Sequence, residues 1–211
     1  MSDAETPVGI TASLCAHART RPSAIAMHGE LESVTYAQLW QRAEYALQSL
    51  RAAGVQAGDR VAWLGLNDAA MLVLLLALAR LGAILLPLNY RLAHAEHLAI
   101  VHDAQPCLLV ADDTHRAAAE ALCQVLGCRF CAAGVLSSSA ASPACQTEPE
   151  RPNDPQLLVY TSGTTGRPKG AVHTQLALAW NCAISRRVQQ IDASDRVLTV
   201  LPLFHVGGLC I

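Results

Sequence analysis

Charge is scarce in this chain of 211 residues: Asp, Glu, Lys and Arg together make up 15%, and the formal net charge is −2. No basic stripe is visible, so the long-range attraction that nucleic acid or an anionic membrane surface would supply is missing. No secretory leader is expected, because the acidic start Met1-Ser2-Asp3-Ala4-Glu5 is not followed by an apolar core. A cytoplasmic location is therefore expected. There is no internal repeat. Long hydrophobic runs are nearly absent, and only residues 69–86, where Arg80 alone carries charge, come near the length of a membrane span. A charge at mid-span is costly, and Arg80 with Gly82 divides the stretch into a helix and a short strand of a buried α/β unit. No transmembrane segment is expected.

A metal-binding cysteine pattern is also incomplete. Of eight cysteines, Cys123, Cys128 and Cys131 form Cys-x4-Cys-x2-Cys, with Cys107 and Cys145 on either side. A zinc site usually needs two well-spaced pairs, and the second is missing. Free thiols in a reducing compartment are the expectation. His94 and His97 share a helix face, with His102 further on, but no further ligand is anchored near them. A solvated face is expected there. Hydrophobic residues, in contrast, make up 52% of the chain. That share implies much buried sheet, or surface that expects to be covered.

Helix and strand patterns alternate along the sequence. A helix is expected over 10–20, stopping before Pro22, then extended pieces at 24–28 and 32–34. Thr35 and Gln38 have capping-box spacing and should start a helix that ends near Gly54. Strands follow at 60–66, 83–88 and 107–111, and helices at 68–80, 93–103 and 114–126. Residues 135–155, rich in serine, proline and small side chains, read as a surface linker. An apolar strand at 156–160 comes next. Thr174 should open a helix through about 190, residues 192–195 make a turn, and 196–201 should form a strand. Successive βα units of this length predict an α/β fold with mainly parallel sheets and helices on both faces.

The most informative run is Tyr160-Thr161-Ser162-Gly163-Thr164-Thr165-Gly166-Arg167-Pro168-Lys169-Gly170. An apolar strand ends abruptly in hydroxyls, glycines and one lysine. Glycines let successive backbone N–H groups converge on phosphate oxygens, hydroxyls add donors, and the lysine adds positive charge. The nucleotide P-loop is excluded, because it needs Gly-Lys-Ser/Thr after the first glycine and four residues. A dinucleotide fingerprint is excluded too, since Gly-x-Gly-x-x-Gly is absent.

The segment resembles the phosphate-binding signature of the adenylate-forming enzymes, Thr-Ser-Gly-Thr-Thr-Gly-x-Pro-Lys-Gly, at every fixed position. Leu201-Pro202-Leu203-Phe204-His205-Val206-Gly207-Gly208 resembles that family's next motif in order and spacing. Gly82-Ala83-Ile84-Leu85-Leu86-Pro87-Leu88-Asn89-Tyr90-Arg91-Leu92 resembles a stretch common in acyl-CoA synthetases. The resemblance implies an ATP-dependent activation of a carboxylic acid, most like a fatty acid, to an acyl-adenylate, and then a thioester with coenzyme A. It implies that Thr161, Ser162, Gly163, Thr164, Thr165 and Gly166 wrap the ATP phosphates with Lys169 as counter-charge, and that Thr161 helps hold Mg2+. It also implies that His205 lies near the reacting carboxylate, while Gly207-Gly208 permit close backbone approach at the pocket wall or simply a tight turn.

By the same resemblance, residues 1–211 are expected to be an incomplete N-terminal AMP-binding domain. The adenine and ribose contacts and the lysine of a small C-terminal domain would lie downstream, and these residues alone are expected not to form acyl-adenylate. The partner is a small carboxylic acid, and a homodimer is a candidate for the full-length form. Two rivals stand beside this reading: an adenylation domain that loads a carrier protein or an aryl-acid CoA ligase, and a non-catalytic truncated product.

Overall fold

The computed structural model describes residues 7–29, 32–137, 151–161 and 168–210. Helix α1 (Ile10–Thr20) precedes the antiparallel pair β1 (Ile25–His28) and β2 (Ser33–Thr35), which leads into helix α2 (Tyr36–Ala52). The capping box is present: the Thr35 hydroxyl accepts from the Gln38 N–H, and the Gln38 side chain accepts from the Thr35 N–H. Next come β3 (Arg60–Leu64), α3 (Ala69–Leu81), β4 (Ile84–Leu88), α4 (His94–Ala104), β5 (Leu108–Ala111), α5 (Arg116–Leu126) and β6 (Arg129–Ala132). A 3-10 helix (Ala133–Ser137) opens the expected linker, whose residues 138–150 lie outside the described residues. Then follow β7 (Pro155–Thr161), β8 (Lys169–Thr174), α6 (Gln175–Val188) and the short α7 (Val206–Leu209).

The main sheet has the order β6-β5-β3-β4-β7-β8, parallel except for β8, which runs antiparallel to β7 at the edge. Its period-two alternation separates two apolar layers. Val61, Trp63, Leu85, Val110, Leu157 and Val159 join the core shared with α1, α2 and α3. Ala62, Leu64, Leu86, Leu109, Ala111 and Leu158 face the other way, against α4 and α5. Helix α3 is buried around almost its whole circumference, including Arg80, whose Nη1 donates to Glu44 Oε2 of α2 at 2.6 Å. The Arg80 guanidinium also lies 4.5 Å over the Trp40 ring.

Three readings from sequence need correction. Residues 196–201 form no strand: Val197, Leu198, Val200 and Leu201 are exposed, and no described strand pairs with them. A strand is a paired object, so an apolar, β-branched run without a neighbour stays irregular. Strands β6 and β8 were not expected. His97 is not on a solvated face: it is 5% exposed, and its Nε2 lies 2.8 Å from the Asn89 carbonyl of the β4–α4 turn. His94 on the same helix is exposed, as read. Among the described residues, no helix is long and apolar enough to cross a membrane.

Candidate functional site

Connections diverge between β3 and β4. From β3 the chain moves to β4 through α3 on one face, then returns past β3 to β5 through α4 on the other. In such sheets the turns at the carboxyl ends of the two strands part and leave a crevice. Here the turn after β3 carries Asn67, the turn after β4 carries Asn89, Tyr90 and Arg91, and the turn after β5 carries Asp112 and His115. β7 ends at the same edge, at Thr161.

The Pro-Leu-Phe-His motif docks onto this edge. Asn67 Nδ2 donates to the Leu201 carbonyl at 2.9 Å, and Asn67 Oδ1 accepts from the Leu203 N–H at 2.8 Å. One amide side chain thus takes up a donor and an acceptor of the motif's backbone. Phe204, 4% exposed, meets the Tyr90 ring edge-on at 5.2 Å between centroids and 88° between planes. The His205 ring lies 4.5 Å from Phe204, and its own side chain is exposed. Arg91 holds its guanidinium 5.4 Å over Tyr90 and 5.9 Å over Phe204.

Behind Tyr90 lies His115, at 5.5 Å between rings. Asp112 Oδ1 accepts from the His115 N–H at 2.8 Å and lies 2.7 Å from its Nδ1, while Oδ2 accepts from the Leu66 N–H at 2.8 Å. Burial alone would raise the Asp112 pKa, but the hydrogen bonds from Leu66 and His115 outweigh it and hold the carboxyl below its usual range. Asp112 therefore fixes His115, and ring contacts run from His115 through Tyr90 and Phe204 to His205. Gly65 belongs to this arrangement, since a Cβ there would sit 2.8 Å from Asp112 Oδ2.

Close approach also shapes the end of the motif. A Cβ on Gly208 would sit 2.2 Å from the Pro202 carbonyl oxygen, so α7 can fold back over the motif only with glycine there. That approach is to the chain's own backbone, so Gly208 serves a tight turn, the second of the two roles expected for Gly207-Gly208.

Thr161 and Lys169 are cross-strand partners, the last pair of the β7–β8 register, and both are exposed. They stand at the mouth of the hairpin whose connection carries the hydroxyl- and glycine-rich signature. Ser162, Gly163, Thr164, Thr165 and Gly166 lie outside the described residues. Lys169 is the single lysine of the sequence. Next to this pair, Gly170 faces Tyr160, and a Cβ on it would come within 2.8 Å of Leu158 Cδ1 and 3.2 Å of the Tyr160 ring. Tyr160 donates its hydroxyl to the Asp103 carboxylate, and burial together with that bond raises its pKa.

The structure thus brings Thr161 and Lys169 together and sets His205 on the same carboxyl edge through Phe204. Asn67, Tyr90, Asp112 and His115 were not picked out by sequence as site residues. The signal available for them was positional: each follows directly on a strand of the parallel sheet, where ligand-facing turns lie. His173 of β8 pairs with Leu157 of β7 and has no hydrogen-bond partner for its buried Nε2 among the described residues.

Residues 14–211 match the family described as AMP-binding enzyme. The chain is 41% identical over 204 residues to an indoleacetate–CoA ligase of Aromatoleum aromaticum, covering 92% of this chain and 40% of that protein. It is 37% identical over 198 residues to a feruloyl-CoA synthase of an Amycolatopsis species, covering 91% and 38%. An o-succinylbenzoate CoA synthetase from Bacillus subtilis, solved with an acyl-adenylate intermediate, is similar with a TM-score of 0.83 at 28% identity. That likeness covers 97% of this chain and 52% of the other. The chain therefore spans about two-fifths of the length of the curated relatives it matches.

Proposed function

The chain belongs to the AMP-binding enzymes, and from that premise we propose that the protein activates a carboxylic acid with MgATP and passes the acyl group to coenzyme A. In the first step a carboxylate oxygen bonds to the α-phosphorus of ATP and pyrophosphate leaves. In the second, the thiol sulfur takes the acyl carbon and AMP leaves. Charge accumulates on phosphate oxygens throughout, so positioning and fixed donors supply most of the catalysis.

The observation that carries this reading is the pairing of Thr161 with Lys169, the only lysine, across the hairpin mouth at the carboxyl edge of the parallel sheet. A hydroxyl and an ammonium facing each other fit a polyphosphate and its divalent cation, the hydroxyl offering the hard oxygen that Mg2+ prefers. In this proposal Thr161, Ser162, Gly163, Thr164, Thr165 and Gly166 hold the β- and γ-phosphates, Lys169 neutralises them, and Thr161 contacts the metal. His205, held by Phe204, donates to the reacting carboxylate or to a phosphate oxygen.

A fatty acid is the substrate that the acyl-CoA synthetase motifs favour. An aryl acid is the second reading, supported by the indoleacetate and ferulate relatives. A cytoplasmic location, a homodimeric assembly and coenzyme A rather than a carrier protein as acceptor belong to the same proposal.

Within residues 1–211 Lys169 is the single lysine, which gives a direct test on this chain. ATP 2′,3′-dialdehyde with borohydride should label Lys169, and excess MgATP should suppress that labelling. Labelling confined to the N-terminal amine, or indifferent to MgATP, would overturn the phosphate role and leave the non-catalytic rival standing. Pyrophosphate exchange into ATP over a panel of long-chain fatty, indoleacetic and ferulic acids then separates the two acid classes. Residues 1–211 alone are expected to give no exchange.

A further inference from the structure

The cysteine spacing that the proposed chemistry leaves unused closes up in space. Cys123 lies in the last turn of α5, and Cys128 follows Gly127, whose left-handed backbone (φ 70°) ends the helix and returns its N–H to the Cys123 carbonyl at 2.8 Å. The reversal folds Cys128 back onto the helix. Its S–H donates to Cys123 Sγ at 3.3 Å, and the Cys123 S–H donates to the Arg129 carbonyl at 3.5 Å. Both residues border an open cleft of about 330 Å³, whose other walls are Glu120, Gln124 and Phe130. Cys131 packs on the opposite face of the sheet, with the core of α1, α2 and α3. Among the described residues, no group of three His, Cys, Asp or Glu side chains could hold a metal ion. The spacing therefore yields a pair of thiols on one face, Cys128 half-buried and reachable from solvent and Cys123 buried beneath it.

We propose that Cys123 and Cys128 form a reversible dithiol–disulfide site, modified by low-molecular-weight disulfides of the glutathione type. The sulfurs need to close from 3.3 Å to a bonding distance of about 2.05 Å, a shift that side-chain rotation of the half-buried Cys128 supplies. Cys128, the more exposed of the two, is the attacking thiol. Its thiolate bonds to one sulfur of oxidised glutathione, the glutathione disulfide breaks, and the departing glutathione thiolate takes up the proton that Cys128 released. Cys123 sulfur then bonds to Cys128 sulfur, the second glutathione leaves as thiolate, and it takes the Cys123 proton. Two protein thiols lose two electrons in all, and one oxidised glutathione becomes two reduced ones. Burial, the largest cause, raises the Cys123 pKa above the usual thiol value. The second step is accordingly the slow one, and it accelerates as pH rises.

The test uses the intact chain and oxidised glutathione, followed by acid quench, alkylation and trypsin. The peptide between Arg116 and Arg129, residues 117–129, contains Cys123 and Cys128 and no other cysteine. It should lose two hydrogens, resist alkylation, and recover both thiols on treatment with dithiothreitol. In the Cys123→Ser variant the same peptide should hold glutathione on Cys128. In Cys128→Ser, modification of Cys123 should slow by roughly tenfold or more, as expected of a thiol that is mostly protonated and buried. Stable glutathione on the wild-type peptide, full alkylation after treatment, or a cross-link to residues 130–151 through Cys131 would overturn the proposal. None of these outcomes depends on nucleotide binding, so failure here is distinct from failure of the proposed function.

Discussion

Asn67→Ala removes the only described side chain that hydrogen-bonds the backbone of Leu201 and Leu203 to the sheet edge. Two hydrogen bonds are lost, at 2.8 and 2.9 Å, each worth ~0.5–1.5 kcal/mol net. Asn67 is exposed, so water takes over both backbone groups when the segment lifts, and the lower half of the range applies. That gives ~1–2 kcal/mol against undocking, which corresponds to a rise of roughly 5–30-fold in the undocked population. Amide hydrogen exchange resolved over 202–210 reads this directly, because local openings exchange without global unfolding. The Leu203 amide should exchange faster by that factor, while amides of β3 and β4 keep their rates. Asn67→Asp keeps an oxygen for the Leu203 N–H but sets a carboxylate against the Leu201 carbonyl. Its rates should fall between wild type and Asn67→Ala. Unchanged exchange over 202–210 in Asn67→Ala, or equal acceleration over the whole chain, would refute the reasoning.

Glu44→Ala removes the buried ion pair that Arg80 makes at 2.6 Å and should destabilise the fold by at most the ~3–5 kcal/mol of an uncompensated buried charge, read from the urea midpoint. Glu44→Gln, which keeps a hydrogen-bond acceptor, should cost less. Gly208→Ala places a Cβ 2.2 Å from the Pro202 oxygen, so the turn must open; ~1–3 kcal/mol is expected, with loss of the Tyr90–Phe204 ring contact in aromatic chemical shifts. Burial lowers the pKa of His97, as it does for His17. The folded state then binds fewer protons than the unfolded one, so these histidines cost no stability above the unfolded pKa of about 6.5. Stability falls as pH drops below it, by at most ~1.4 kcal/mol per pH unit for buried His97 and by less for the solvent-screened His17. In His97→Gln that acid-side slope should shrink to the part His17 supplies, measured by denaturation between pH 7 and 5.

Elements whose ends are fixed by local chemistry were legible in the sequence. The Thr35–Gln38 box started α2, the Asp68 and Thr174 side chains cap α3 and α6, and Gly82 and Gly127 in left-handed conformation end α3 and α5. Elements that exist only through pairing were not legible. β8 begins Lys-Gly-Ala, residues with little strand preference, and forms because β7 offers it an open edge. β6 is a short strand ending Cys-Ala whose reason is the parallel register with β5. The reverse error occurred at 196–201, where apolar and β-branched residues are plentiful and no described strand offers a partner. His97 was misread because the demand it meets, a donor for the Asn89 carbonyl, arises only when the β4–α4 turn folds over α4. Among site residues, Thr161, Lys169 and His205 were carried by contiguous motifs. Asn67, Tyr90 and Asp112 sit in three separate turns, and only the strand order makes them neighbours.

That division has a physical consequence for how the two halves of the site are held. Thr161 and Lys169 close a ladder of paired residues between β7 and β8, so their separation is fixed by the sheet itself. His205 has no such support. Its position passes through Phe204 to the Tyr90 edge and through Leu203 and Leu201 to Asn67, whose bonds add ~1–2 kcal/mol. It passes also through the burial of Leu203 and Phe204, the packing of Val206, Leu209 and Cys210 on the core and the Asn181 bond to the Cys210 carbonyl, none of which is a strand pairing with β7 or β8. The motif can therefore release His205 while the sheet stays folded, whereas Lys169 cannot move without unpairing the hairpin. Phe204→Leu separates the two cases, because it removes the ring that meets both Tyr90 and His205 and leaves β7 and β8 untouched. Exchange over 202–210 should rise in that variant and labelling of Lys169 by ATP dialdehyde should not change. A parallel loss of both would mean that the halves are one cooperative unit, contrary to the contacts that join them.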